Sequence, residues 1–181
     1  MSTSPKRKSP KKRARRSGAE GESVAVIIET PKGSRNKFKY DAGQRMYKLS
    51  KLMPEGMVFP YDFGFVPGTK AADGDPLDVL LLTDEPLFPG CLVDAVLAGV
   101  IELEQREDGK TIRNDRLIAV ALPSLQYSEV RDLDSLSPVV LRQIEAFFVN
   151  YQKVRDIQVM ILGRRGPDRA REILRQSRDK V

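Results

Sequence analysis

The sequence predicts a mainly β fold with one or two flanking helices, closed or partly closed into a barrel. Three observations support this class. Short apolar runs typical of strands recur along the chain, and glycine and proline turn signals separate them. Only one stretch, near residue 140, carries many apolar residues at helical spacing. At 181 residues, the chain is long enough for a single domain with a sizeable core.

The first 22 residues differ from the rest in composition. Residues 1–22 contain eight lysines and arginines, two glutamates and no bulky apolar residue after Met1. Such a segment cannot bury enough surface to offset its chain entropy, so we expect a disordered basic tail. Residues 23–181 contain 23 basic and 23 acidic side chains, and we predict that they form the folded domain. The tail could bind polyanions or nucleic acid by charge, or could be a solubilising segment.

Five apolar runs are the strand candidates of the domain. The third of them alternates over enough residues for one long strand. The runs are Val24–Ile28, Val79–Leu82, Val93–Leu103, Leu117–Leu122 and Ile157–Leu162. Turn signals at Pro67-Gly68, Pro89-Gly90 and Asp108-Gly109 punctuate the sequence around them. This spacing favours a sheet of many strands.

Helix signals follow these strands. Ser137 is the expected N-cap of the first helix, and Pro138 suits its first turn. One apolar stripe then recurs at helical spacing, consisting of Val140, Ile144, Phe147, Phe148 and Tyr151. Tyr151 ends the stripe, where its phenol could reach a polar cleft. A second, arginine-rich helix is predicted over residues 168–177.

Composition excludes several kinds of chemistry. Histidine is absent, which excludes histidine bases, Ser–His or Cys–His nucleophiles and histidine-ligated zinc. The single Cys91 cannot form an intrachain disulfide. No apolar run is long enough to span a bilayer, and no signal peptide is recognisable at the start. These features favour a cytoplasmic protein whose chemistry uses carboxylates, lysines, tyrosines and metal-bound water.

Three carboxylates lie within one short turn, Asp73-Gly74-Asp75-Pro76-Leu77-Asp78. Its glycine and proline favour a bend at the mouth of the strand that follows. Like charges this close need solvent or a hard cation such as Mg²⁺ to hold them together. From spacing alone, a solvated acidic loop and a metal site account for the pattern equally well. An EF-hand is disfavoured, because its sixth position requires glycine and is Asp78 here.

The pattern DGDPLDV resembles the signature of the family I soluble inorganic pyrophosphatases. Other blocks resemble the same family in the same order and cover roughly residues 24–160. They are Ile28–Pro31, Gly33–Asp41, Phe59–Gly68, Pro89-Gly90, Asn114–Val120 and the stretch from Gln143 to Tyr151. The combination is more specific than the aspartate pattern alone.

The resemblance implies an OB-like five-stranded closed β-barrel flanked by helices. It also implies Mg²⁺-dependent hydrolysis of pyrophosphate to two orthophosphates, by a metal-activated water with an aspartate as general base. Divalent cations suit this reaction, because they neutralise phosphate charge and acidify a bound water. The resemblance further implies a homo-oligomer, with a hexamer favoured.

Site residues are assigned where this sequence matches the family. The resemblance implies that Asp75 takes the proton of the attacking water. The metal ligands it implies are Asp73, Asp78, Asp115, Asp108 and Glu29. The substrate-binding residues it implies are Lys37, Lys51, Arg116 and Tyr151. Taken singly, Lys37 could equally be a solvated edge-strand lysine, Glu29 a surface acid and Tyr151 a half-buried core residue.

Several positions depart from the usual family pattern. Lys39 stands where a glutamate is usual and Lys51 where an arginine is usual. Phenylalanine replaces tyrosine at Phe59 and Phe63, and Gln152 replaces a lysine that the adjacent Lys153 could partly compensate. Because a lysine lacks the bidentate fork of arginine, these changes concern phosphate affinity and rate. Two alternatives therefore stay open, namely hydrolysis of another phosphoanhydride such as short polyphosphate, or a catalytically weakened phosphate- or polyanion-binding protein.

Overall fold

The computed structural model describes residues 23–178, which form nine β-strands and two α-helices. In chain order the strands are β1 (Ser23–Thr30), β2 (Asn36–Asp41), β3 (Met46–Leu52), β4 (Asp62–Phe65), β5 (Asp78–Leu82), β6 (Leu92–Glu107), β7 (Lys110–Arg113), β8 (Arg116–Ala121) and β9 (Gln158–Arg165). The helices are α1 (Pro138–Lys153) and α2 (Pro167–Arg178). The basic tail, residues 1–22, lies outside the described residues, so its disorder and the domain boundary stay predictions.

Five strands close into a ring in the order β1, β4, β5, β8 and β6, because β6 also pairs with β1. β5 and β8 run parallel, whereas the other neighbours in the ring run antiparallel. β7 and β9 extend the sheet from β6, and β2 pairs with β3 in a separate hairpin. The mainly β class is confirmed, and the closed ring of five strands matches the predicted barrel.

Strand β6 is 16 residues long and joins the ring to its extension. Its N-terminal half pairs with β1 and β8, and its C-terminal half pairs mainly with β7 and β9. The sequence predicted a long strand over Val93–Leu103. The observed strand continues to Glu107 through polar residues, which apolar alternation does not detect.

Strand β5 contributes to two apolar cores. Val79 and Leu81 belong to the core that includes α2, whereas Leu80 and Leu82 belong to the core that includes α1. All four side chains are fully buried. A strand buried on both faces needs apolar residues at successive positions, which explains its continuous apolar run. The acidic turn that precedes β5 is thereby attached to the most buried part of the sheet.

Both predicted helices are present. The side chain of Ser137 accepts a hydrogen bond from the Val139 N–H at 3.3 Å, and Pro138 opens α1 as predicted. α2 matches the arginine-rich helix predicted over residues 168–177. Within residues 23–178, no helix is long and apolar enough to cross a membrane.

The sequence patterns missed the hairpin of β2 and β3 and the short strands β4 and β7. Most side chains of β2 and β3 are exposed or half-buried, so these strands lack a clear apolar alternation. β4 and β7 each have four residues, which is too short for periodicity to identify. These strands depend on backbone pairing with their neighbours, which a local pattern does not report.

The close approach of β4 to β1 can be tested at Gly64. A Cβ atom there would lie 2.0 Å from the carbonyl oxygen of Ile27 and 2.8 Å from its carbonyl carbon. Because these are backbone atoms of the ring, we expect Gly64→Ala to lower the free energy of unfolding by more than about 2 kcal/mol. Urea denaturation measures this difference.

The control is Gly43→Ala in the loop between β2 and β3. There the nearest atom to a new Cβ is a side-chain oxygen of Asp41 at 3.4 Å. We expect this variant to change stability by no more than about 0.5 kcal/mol. Equal effects of the two substitutions would contradict a close packing of β4 on β1.

Candidate active site

A cleft of 480 Å³ forms where the acidic turn, the hairpin of β2 and β3, the hairpin of β6 and β7 and the C-terminal end of α1 meet. Five carboxylates line it, namely Glu29, Asp73, Asp75, Asp78 and Glu107. Six cations line it as well, namely Lys37, Lys39, Lys51, Lys110, Arg116 and Arg155. The barrel therefore gathers charges of both signs from distant segments into one cavity.

The acidic turn is held by its own backbone. Gly74 has a φ of 89°, a left-handed conformation that favours glycine. The N–H of Asp75 donates to Asp73 Oδ1 at 3.1 Å, and the carbonyl of Asp75 accepts from the Ala71 N–H at 2.7 Å. The N–H of Leu77 donates to the Thr69 hydroxyl at 3.0 Å. This bonding presents Asp73, Asp75 and Asp78 to the same cleft.

Arg116 is the buried cation of the site. The parallel register pairs Val79 with Leu117, which places Asp78 beside Arg116. Nη1 of Arg116 donates to Asp78 Oδ2 and to the side-chain oxygen of Asn114. The residue is only 4% exposed, and its Nε has no hydrogen-bond partner. Arg116 therefore lines the cleft as a buried cation paired with Asp78.

Two phenylalanine rings support this guanidinium. Its central carbon lies 5.9 Å from the ring centroid of Phe63 and 5.6 Å from that of Phe148. Both rings belong to the core that contains α1. Their contact stabilises a cation by cation–π attraction and fixes its position.

The hairpin of β2 and β3 contributes three lysines. Lys37 lies opposite Lys51 in the register. Burial lowers the pKa of Lys51, and the nearby positive charges of Arg155 and Lys37 lower it further. Lys39 Nζ lies 2.6 Å from Asp75 Oδ2, and this hydrogen bond raises the pKa of Lys39. The hairpin thus extends positive charge over the acidic turn.

Glu29 lies at the end of β1 and is buried. Its Oε1 accepts a hydrogen bond from the Tyr40 N–H at 2.8 Å, which links β1 to β2. Burial raises the pKa of the Glu29 carboxyl, and the negative charge of Asp78 raises it further. The hydrogen bond from Tyr40 and the charges of Lys37 and Lys39 act in the opposite direction.

Tyr151 is positioned by aromatic packing. Its ring stacks on Phe147 with centroids 5.9 Å apart, and Phe59 lies 6.2 Å away. Its hydroxyl is buried and has no hydrogen-bond partner. Lys37 Nζ lies 5.5 Å from the Tyr151 ring and 5.3 Å from the Phe63 ring. Lys37 and the ring of Tyr151 therefore lie together at the cleft.

Two predicted ligands do not reach this cleft. Oδ1 of Asp115 instead accepts hydrogen bonds from the Leu103 N–H at 3.1 Å and from Arg113 Nε at 2.5 Å. It lines a separate 290 Å³ cavity. Side chains alternate along an extended chain, so Asn114 and Arg116 face the cleft and Asp115 faces away. Asp108 is exposed at the tip of the hairpin of β6 and β7, with a φ of 50°.

Several cleft residues escaped the sequence analysis. Glu107 lines the cleft in place of its neighbour Asp108. Asn114 was part of the family-like block, but the choice between it and Asp115 required the strand register. Arg155 enters the cleft beside Gln152 and donates to the side-chain oxygen of Gln152 at 2.9 Å. Arg155 thus supplies the cation that was expected from Lys153, which lines a different cavity.

The donor chemistry of the acidic turn fits a small, hard divalent cation, because all its donors are oxygens. Burial raises the pKa of Asp73, and the charges of Asp78 and Asp75 raise it further, so a cation would relieve this repulsion. Within the described part of the chain, no three acidic side chains already converge as a cation site. Asp75 and Asp78 pair instead with Lys39 and Arg116.

The chain is similar in sequence to known proteins. A family model for inorganic pyrophosphatase matches residues 26–181. The chain is 35% identical over 156 residues to the inorganic pyrophosphatase of Methanosarcina acetivorans, which covers 86% of this chain and 90% of that protein. It is 34% identical over 154 residues to the inorganic pyrophosphatase of a Nostoc species, covering 85% and 89% of the two chains.

Solved structures show the same likeness. The crystal structure of inorganic pyrophosphatase from Thermus thermophilus superimposes with a TM-score of 0.82 at 29% identity. The superposition covers 92% of this chain and 95% of the other. The family model, the relatives and the shared fold each span most of the chain, so the resemblance is confirmed. The chain belongs to the inorganic pyrophosphatase family.

Proposed function

We propose that this protein hydrolyses inorganic pyrophosphate to two orthophosphates with Mg²⁺ as its cofactor. Membership of the inorganic pyrophosphatase family supports this reaction. The observation that carries the proposal is the composition of the cleft, in which a turn of three aspartates faces a group of lysines and arginines. Carboxylates suit the metal, and cationic donors suit the phosphate oxygens.

Substrate binding is assigned to the basic side of the cleft. The side chains of Arg116 and Tyr151 line the cleft. A guanidinium and a phenol donate hydrogen bonds, which suits them to phosphate oxygens. Lys37 and Lys51 add ammonium groups, and Arg155 adds a guanidinium that suits bidentate contact.

Metal binding and proton transfer are assigned to the acidic side. Asp73 and Asp78 would hold Mg²⁺, with Glu29 as a further ligand at the end of β1. A bound Mg²⁺ supplies Lewis-acid stabilisation of phosphate charge and makes the attacking water more acidic. Asp75 would accept the proton from that water, since its carboxylate lies on the half-exposed side of the turn.

Phe63 has a role that differs from the tyrosine usual in the family. Its ring lies beneath both Lys37 Nζ and the Arg116 guanidinium. An aromatic face attracts cations without offering a hydroxyl that could bind a phosphate oxygen. We infer that Phe63 orients two substrate-binding cations and does not itself contact the substrate.

We further propose a cytoplasmic homo-oligomer, with a hexamer as the expected size. Large apolar side chains exposed on the described domain support association, since an interface would cover them. They include Phe88, Leu92, Leu125 and Met160. The basic tail would contact polyanions independently of the cleft.

The reaction and its cofactor are tested by phosphate release from pyrophosphate. We expect release to require Mg²⁺ and to be inhibited by Ca²⁺, whose larger radius loosens the near-octahedral geometry. Tripolyphosphate and ATP serve as comparison substrates, and pyrophosphate should be the best of the three. A preference for tripolyphosphate would favour the polyphosphate alternative. Full activity in excess chelator would contradict the proposal.

The roles within the acidic turn are tested by two substitutions. Asp75→Asn should lower kcat at least about 100-fold and weaken Mg²⁺ binding less than Asp78→Asn does, because it removes a proton acceptor and not a ligand. Asp78→Asn should weaken Mg²⁺ binding, because it removes a charged ligand. Steady-state kinetics and calorimetric titration with Mg²⁺ measure the two effects.

The matched control for these variants is Asp134→Asn. Asp134 is exposed in the short 3₁₀ turn before α1 and does not line the cleft. This variant should retain both kcat and Mg²⁺ affinity. If Asp75→Asn and Asp78→Asn lost metal affinity equally while turnover persisted, the assigned roles would be wrong.

The buried charge of Glu29 gives a pH prediction. Burial raises the pKa of Glu29 above its ordinary value of 4.5, so the stability it contributes is present at low pH and lost as pH rises. Glu29→Gln removes that charge and keeps an acceptor for Tyr40. We expect the stability of the Glu29→Gln variant, relative to that of the wild type, to increase as pH rises from about 4 to about 8.

Thermal unfolding across this pH range measures the difference. Glu129→Gln is the control, because Glu129 is exposed and lies outside the cleft. Its stability relative to the wild type should not depend on pH. A pH-independent difference for Glu29→Gln as well would refute the assigned burial cost.

A further inference from the structure

Lys39 reaches the acidic turn from a different part of the chain. Its Nζ lies 2.6 Å from Asp75 Oδ2, although the two residues are 36 positions apart. We propose that Lys39 is a built-in counter-cation of the acidic turn, whose ammonium group lowers the affinity of the cleft for divalent cations. This inference deepens the proposed function and rests on it only in treating the cleft as the metal site.

The backbone on both sides of Lys39 is anchored to β1. The N–H of Phe38 donates to the Thr30 hydroxyl at 3.1 Å, and the N–H of Tyr40 donates to Glu29 Oε1 at 2.8 Å. These bonds fix β2 over the end of β1 on either side of Lys39. The fold therefore places the lysine at the turn, and the contact does not depend on a freely moving surface loop.

The charges of the residues that line the cleft also support this role for Lys39. Six cations and five carboxylates line it, so the cavity carries no formal excess of negative charge. Arg116 pairs with Asp78, and Lys39 pairs with Asp75, which leaves Asp73 as the aspartate of the turn without an ion pair. A divalent cation that binds the turn must therefore approach a resident ammonium group, which repels it.

The ion pair is positioned for exchange. The side chains of Lys39 and Asp75 are 50% and 55% exposed, and ion pairs at such sites contribute little free energy because water screens them. The ammonium can therefore leave Asp75 when a metal or a phosphate oxygen arrives. Lys39 would weaken cation binding without blocking it.

Calorimetric titration with Mn²⁺ at low ionic strength, without pyrophosphate, tests the proposal. We expect Lys39→Gln to bind Mn²⁺ about three- to fivefold more tightly, the scale of a half-exposed ion pair. Lys39→Arg keeps the charge and should bind Mn²⁺ as the wild type does.

Lys48→Gln is the matched control. Lys48 lies opposite Lys39 in the register of β2 and β3. Its Nζ lies 4.0 Å from Asp41 Oδ2, so it pairs with a different carboxylate. The variant removes the same charge from the same hairpin without touching Asp75. It should stay within about twofold of the wild type, because Lys48 pairs with Asp41 and not with the acidic turn. Unchanged melting temperatures verify that every variant is folded.

The outcomes separate this inference from the proposed function. A gain confined to Lys39→Gln supports the counter-cation. An equal gain in Lys39→Gln and Lys48→Gln, or no gain in a folded Lys39→Gln, overturns it. Because the titration does not involve turnover, a chain that shows the Lys39 effect but releases no phosphate would lose the proposed function and keep this inference.

Discussion

The parallel pairing of β5 with β8 is the contact on which both the barrel and the cleft depend. It joins the β1–β4–β5 side of the ring to the β8–β6 side, and its register sets Asp78 beside Arg116. A guanidinium buried between two phenylalanine rings needs an ionic partner, because desolvating an unpaired charge is costly. Asp78 supplies that partner and thereby ties the acidic turn to the core.

The aspartates of the acidic turn differ in whether they form an ion pair within the chain. Lys39 and Arg116 reduce the repulsion among the aspartates of the turn, as metal ions would. Asp73 keeps its carboxylate outside these pairs, and burial together with its acidic neighbours raises its pKa. Two of the three aspartates are therefore paired with cations of the chain, while Asp73 has the most to gain from a bound cation.

Local patterns predicted the acidic turn, α1 and the buried strands, because each depends on residues close together in the chain. The position of Asp115 outside the cleft could not be predicted in this way. Motif spacing does not show which face of an extended segment meets the cleft, and alternation turns Asn114 and Arg116 inward. The pair of Lys39 and Asp75 was beyond sequence reasoning, since it depends on how an exposed hairpin folds over β1.

A crystal structure with Mn²⁺ and imidodiphosphate, a pyrophosphate analogue with a nitrogen bridge, would test whether the acidic turn holds the metal beside the substrate. Anomalous scattering would locate the manganese. We expect manganese at Asp73 in the acidic turn and phosphate oxygens in contact with Lys37, Arg116 and Tyr151. Manganese away from the turn, or an analogue bound in the smaller cavity beside Asp115, would contradict this expectation.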